Sequence, residues 1–138
     1  MQPTYVAGGP QSIFAPGRLN YILTNHGWSA APTQGRFYPQ FSNPAAITAL
    51  AAGAIAAAAQ NPALVAGGNQ PNTYVISGTF LQVDEASGET TNVNVGVSGQ
   101  GLQSPSVATA TYITVINTRQ GVVNMYPVNP NDPSFGGH

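Results

Sequence analysis

The chain has no cysteine and no lysine, and only 5% of its 138 residues carry a charged side chain. The formal charges are Arg18, Arg36, Arg119, Asp84, Glu85, Glu89 and Asp132, giving a net charge of -1 with histidine neutral. Without cysteine there are no disulfides, thiolate nucleophiles or sulfur ligands for a metal. Without a run of Lys and Arg there is no electrostatic footprint for nucleic acid or for an anionic membrane surface, so neither is expected as a partner. An ordinary soluble domain draws about a quarter of its residues from Asp, Glu, Lys and Arg, and uses them to stay apart from its neighbours. A chain this poor in charge is expected to hold much of its surface against other protein.

Catalytic parts are equally scarce. A nucleophilic triad needs a base and an orienting group. The only histidines are His26, in the turn candidate Asn25-His26-Gly27, and His138, at the end of a Gly-rich tail. No serine lies in a Gly-x-Ser-x-Gly setting. Asp84, Glu85 and Glu89 share one turn, whereas a glycosidase places two carboxylates on opposite sides of a sugar. They also lack the alternating acid spacing of a calcium loop. Gly96-Val97-Ser98-Gly99-Gln100-Gly101 follows a strand and has no helix after it to complete a phosphate site. No enzymatic activity, cofactor or metal is expected. The most apolar stretch, Ala45 to Ala59, is shorter than the roughly 20 residues a membrane span needs, and Met1-Gln-Pro-Thr-Tyr5 does not read as a secretory leader.

What is present is Asn, Gln, Ser, Thr, Gly and Pro in place of charge, around 42% hydrophobic residues. That is enough for the core of one domain. Residues 1 to 18 read as an extended N-terminal arm. Gly8-Gly9-Pro10 and Ala15-Pro16-Gly17 break regular structure there and strand Tyr5, Val6, Ile13 and Phe14 between them. Such a segment packs locally or lies across a neighbour. Residues 19 to 128 read as a single β-rich domain, and residues 129 to 138 as a C-terminal tail. Leu19 to Thr24 reads as a short strand. The one clear helix spans residues 44 to 60: Asn43 is a favoured N-cap, Pro44 suits the first helical position, and Asn61-Pro62 stops it. Ile47, Leu50, Ala51, Ala54, Ile55 and Ala58 form one stripe at helical spacing. The opposite face carries Thr48, Ala52, Ala56 and Ala59 where a solvated helix would carry Glu or Lys. That helix is buried within its own domain or sandwiched between its own sheet and a neighbouring subunit.

Thr73 to Val83, Thr90 to Ser98, Val107 to Thr118 and Val122 to Val128 read as strands of an antiparallel meander. With the N-terminal strands this predicts a mainly β fold, an antiparallel sandwich of jelly-roll type with one Ala-rich helix. The alternative is an α+β arrangement in which the helix covers one face of an open sheet. Ahead of the helix, Trp28, Phe37, Tyr38 and Phe41 cluster around Arg36. That composition fits a core corner, a subunit contact or a ligand platform. The candidate interface residues are thus Tyr5, Val6, Ile13, Phe14, Trp28, Arg36, Phe37 and Tyr38.

Short β-rich chains with few charges, no cysteine, proline-rich ends and no leader resemble the small accessory coat proteins of tailed bacteriophages. The likeness runs through the arm, the Asn43-Pro44 helix, the Thr73 to Val128 strands and the Asn129 to His138 tail. In size and β content it is nearest to the jelly-roll cement proteins of that group. The resemblance implies a virion structural protein, made in the host cytoplasm and carried on the capsid surface. Its partner would be the major capsid protein, with neighbouring subunits clamped from outside without covalent links, and a homo-oligomer is expected on the particle. The resemblance transfers no functional residue. Two other readings fit the same residues: a tail, neck or surface-filament subunit, and a carbohydrate-binding module using Trp28, Phe37 and Tyr38.

Overall fold

The computed structural model describes residues 13–31, 33–68, 70–99 and 106–130. In chain order they form α1 (Arg18–His26), β1 (Arg36–Phe37), α2 (Pro44–Gln60), β2 (Val65–Gly67), β3 (Thr73–Thr79), β4 (Leu81–Val83), β5 (Thr90–Asn92), β6 (Gly96–Val97), β7 (Ala108–Thr109), β8 (Thr111–Asn117) and β9 (Gly121–Pro127). The strands make three small antiparallel sheets: β2-β3-β8-β9, β1-β6-β7 and the hairpin β4-β5. None is closed into a barrel, and the fold is α+β. This corrects the jelly-roll sandwich expected first and matches the alternative in which the Ala-rich helix covers an open sheet.

α2 starts and stops where its sequence requires. The Asn43 side chain accepts a hydrogen bond from the Ala46 amide at 2.9 Å, Pro44 is the first helical residue, and the helix ends at Asn61-Pro62. Ile47, Leu50, Ala51, Ala54 and Ala58 are buried and pack on the face of the large sheet that carries Tyr74, Ile76, Tyr112, Ile116, Val122 and Met125. Burying each large aliphatic here contributes about 1.5–3 kcal/mol. The Tyr112 hydroxyl donates to the Leu50 carbonyl at 2.7 Å and fixes the helix at one height over the sheet. Burial pushes the Tyr112 phenol well above its ordinary pKa.

Two expectations are corrected locally. Leu19 to Thr24 is not a strand but lies inside α1. That helix buries Ile22 and His26, with Leu19 and Leu23 half-buried against the core. These positions follow i, i+3, i+4, i+7, and the contact with β9 stabilises the helical form. α1 ends at Gly27, whose amide donates to the Leu23 carbonyl at 3.1 Å. A Cβ at Gly27 would collide with that same carbonyl oxygen, so only glycine fits there. The second correction concerns strand order. β3 pairs in register with β8, from Thr73↔Asn117 to Thr79↔Thr111, while β4 to β7, which lie between them in the chain, belong to the other two sheets, so no meander forms.

A β-bulge interrupts the pairing of β8 with β9, since Val115 lies opposite Asn124 while Ile116 lies opposite Val122. Val123 is the extra residue, and its carbonyl accepts a hydrogen bond from Arg18 Nε at 2.7 Å. The bulge therefore anchors the start of α1.

Candidate assembly surfaces

The sequence-predicted contact residues divide into three groups. Tyr5 and Val6 lie outside the described residues. Ile13 and Phe14 are buried in the chain's own core. They run beside β9, where Phe14 bridges Val122 in parallel, Val122 N–H donates to the Ile13 carbonyl at 2.8 Å and Ala15 N–H donates to the Val122 carbonyl at 2.9 Å. This corrects the extended arm at its C-terminal end: residues 13–15 are fixed in the fold, and Arg18 already belongs to α1. Phe37 is fully buried, with its ring edge-on to Tyr112 at 6.4 Å, and so presents nothing to a partner.

Trp28, Arg36 and Tyr38 do come together at the surface. Trp28 is 40% exposed. Its ring centroid lies 5.5 Å from that of Tyr38, and the Arg36 guanidinium carbon sits 4.7 Å above the Trp28 ring. Ser42 binds this corner together: its hydroxyl oxygen accepts from the Trp28 amide at 3.1 Å and lies 3.0 Å from the Phe37 and Tyr38 carbonyls. Arg36 Nε is buried and makes no hydrogen bond. The Trp28 and Tyr38 planes are inclined at 57° to each other, so the two rings do not share one flat face.

The second surface is the outer side of α2. Ala45, Ala49, Ala52, Gly53, Ala56 and Gln60 are all exposed and share one face. No side chain on that face is charged or longer than the terminal glutamine. A surface helix ordinarily carries charged or polar residues opposite its buried stripe.

The third surface, which sequence reasoning missed, is the hairpin β4-β5. Every residue from Leu81 to Asn92 is exposed. Leu81 (53% exposed) and Val83 (58% exposed) lie on one face of the hairpin, opposite Asn92 and Thr90. The turn between the strands is closed by Asp84 N–H to the Glu89 carbonyl at 2.8 Å and Gly88 N–H to the Asp84 carbonyl at 2.7 Å. Asp84 Oδ1 also accepts from the Ala86 amide at 2.9 Å. Leu81-Gln82-Val83 was legible only as an alternating strand, and alternation does not reveal that the face has no cover.

His26 is buried at the end of α1. His26 Nδ1 lies 2.7 Å from the Gly35 carbonyl, which as an acceptor requires the proton on that nitrogen. Its ring packs 5.3 Å from Tyr126. Burial holds the His26 pKa below its ordinary value, partly offset by the Gly35 carbonyl, and pushes the Tyr126 phenol up to about 12. Among the described residues, no group of three or more His, Cys, Asp and Glu is placed to hold a metal ion, and no helix is long and apolar enough to cross a membrane.

No protein-family model, curated protein or solved structure matches the chain.

Proposed function

We propose that the chain is a virion structural protein, a cement or decoration protein that binds the outside of a tailed-phage shell and holds neighbouring major capsid subunits together by non-covalent contacts. The observation that carries this reading is the outer face of α2: exposed, uncharged and built of alanine and glycine in mid-helix. Such a face is poorly suited to keeping protein molecules apart and allows another backbone to approach closely. The Trp28-Arg36-Tyr38 corner supplies the aromatic and arginine side chains that dominate contact energetics. Main-chain groups at the hairpin edges can extend a neighbouring sheet. Repetition over a symmetric lattice lets each such contact be weak while the array holds.

The test is composition of the particle. Virions of the phage that encodes the chain are expected to carry it in fixed ratio to the shell protein, and to keep it through a wash at roughly 1 M salt, where screening is nearly complete beyond about 3 Å. Its absence from washed virions refutes the proposal. Tubes or fibres formed by the isolated chain would replace it with the tail or filament reading.

A further inference from the structure

The charges of the described residues are segregated. All the acids, Asp84, Glu85 and Glu89, lie on the turn of the β4-β5 hairpin, and all the arginines, Arg18, Arg36 and Arg119, lie elsewhere. The topology sets two of those arginines far from the hairpin. β3 and β8 pair from Thr79↔Thr111 at one end of the large sheet to Thr73↔Asn117 at the other. β4 continues from the Thr79 end after Phe80. Arg119 lies in the β8-β9 connection, next to the Asn117↔Gly121 pair at the opposite end. Arg18 is held at that same end by its bond to the Val123 carbonyl, and its guanidinium carbon sits 3.8 Å over the ring of Tyr21, which is 39% exposed. One pole is thus acidic with two exposed aliphatic side chains, Leu81 and Val83. The other is basic with an exposed aromatic ring.

A two-stranded hairpin is marginal in water on its own. Sheets usually guard open edges with charge or proline, yet here the charge sits on the turn and, among the described residues, no strand pairs with the outer edges of β4 or β5. We infer that the hairpin of one copy docks head to tail on the Arg18-Tyr21-Arg119 pole of a second copy of this chain. Among the described residues that pole carries two arginines, against the single Arg36 of the Trp28 corner, whose Nε is buried, and its exposed ring can cover Leu81 or Val83. The contact is heterologous, with different surfaces on the two sides, so it closes into rings or runs on as rows according to the rotation between copies. As a contact between solvent-exposed charges it is weak in solution and strengthened when copies are already arrayed. The inference rests on the assembly reading above, and it names the chain itself as a partner in addition to the shell.

The test uses the full chain, with sedimentation velocity over a concentration series at low salt (roughly 20 mM) and high salt (roughly 0.5 M). The wild type is expected to self-associate at low salt and to weaken about tenfold at high salt. A hairpin variant, Glu85→Lys with Glu89→Lys, and a body variant, Arg119→Glu, should each fail to self-associate. An equimolar mixture of the two should form a heterodimer, because the unaltered hairpin of the body variant then meets the unaltered pole of the hairpin variant. All three positions are exposed, and unchanged thermal unfolding checks that folding is intact. Leu81→Ser should weaken association at both salt concentrations. A wild type that stays monomeric throughout, variants that associate normally, or a mixture that fails to recover overturns the inference. A hairpin variant that leaves self-association unaltered but disappears from particles also overturns it, by giving the hairpin to the shell protein. Particles that carry a chain which never self-associates leave the shell reading standing without this contact. Particles that lack the chain remove the shell reading alone.

Discussion

Gly53 lies in the middle of the outward face of α2, and a Cβ built there meets nothing within 4 Å. The chain's own packing therefore gives no reason for glycine at this position. Glycine in a helix interior costs about 0.8–1 kcal/mol relative to alanine, through backbone entropy lost on folding. Gly53→Ala should thus stabilise the isolated chain by about 1 kcal/mol. For 138 residues an unfolding entropy of about 2.1 cal/mol/K per residue corresponds to about 0.3 kcal/mol per degree, so the melting temperature should rise by about 3 °C. Calorimetry on the purified chain measures this directly. Gly53→Leu should keep most of that gain, since leucine is also a strong helix former, while its side chain projects from the outward face. If a shell subunit approaches the helix there, the leucine variant should be lost from particles even though it is the more stable protein. A melting temperature that does not rise refutes the account of the helix. Full occupancy by Gly53→Leu refutes the contact through this face.

The other expectations concern the core. Thr114 is fully buried on the sheet face beneath α2, and its Oγ1 makes no hydrogen bond. Thr114→Val should therefore raise stability by about 1–2 kcal/mol in urea unfolding, and a loss of stability would show that the hydroxyl has a role in the fold. His26 has a folded pKa held below its ordinary 6.5 by burial. The unfolded chain then binds the proton more readily, so stability should be full above about pH 6.5 and decline as pH falls toward the folded value. Urea midpoints between pH 7 and 5 should show this decline and His26→Asn should flatten it. A flat wild-type profile refutes the burial argument.

The parts of the fold that could be read from sequence are those fixed by neighbours along the chain. The Asn43 cap, Pro44 and the Asn61-Pro62 stop define α2 because each acts within one turn. β3, β8 and β9 fall inside runs rich in Val, Ile, Thr and Tyr. α1 was hidden because Leu19, Tyr21 and Leu23 fall at every second position like one face of a strand, and its fourth helical contact is His26, which a search for apolar residues passes over. The pairing of β3 with β8 depends on contacts between residues more than thirty positions apart, which local pattern cannot rank. In the candidate site, alternation in the extended segment explains why Phe37 is buried while Arg36 and Tyr38 meet Trp28 at the surface. The hairpin could not be read because exposure is a property of what lies opposite, and no residue between Leu81 and Asn92 encodes that. The charge segregation was in the sequence from the start, as three acids on one turn. Its polarity needed the register that places Arg119 at the far end.

The short ladder that Ile13 to Ala15 forms against Val122 has a consequence for how the protein can multiply contacts. β9 would otherwise begin with a bare outer margin, and lateral accretion of strands from other molecules is the ordinary fate of such a margin. With Ile13 O and Ala15 N–H engaging Val122, that part of the margin is sealed by the molecule itself. Edge-on stacking at this point is blocked, and association is left to the parts of the surface where geometry limits the number of neighbours.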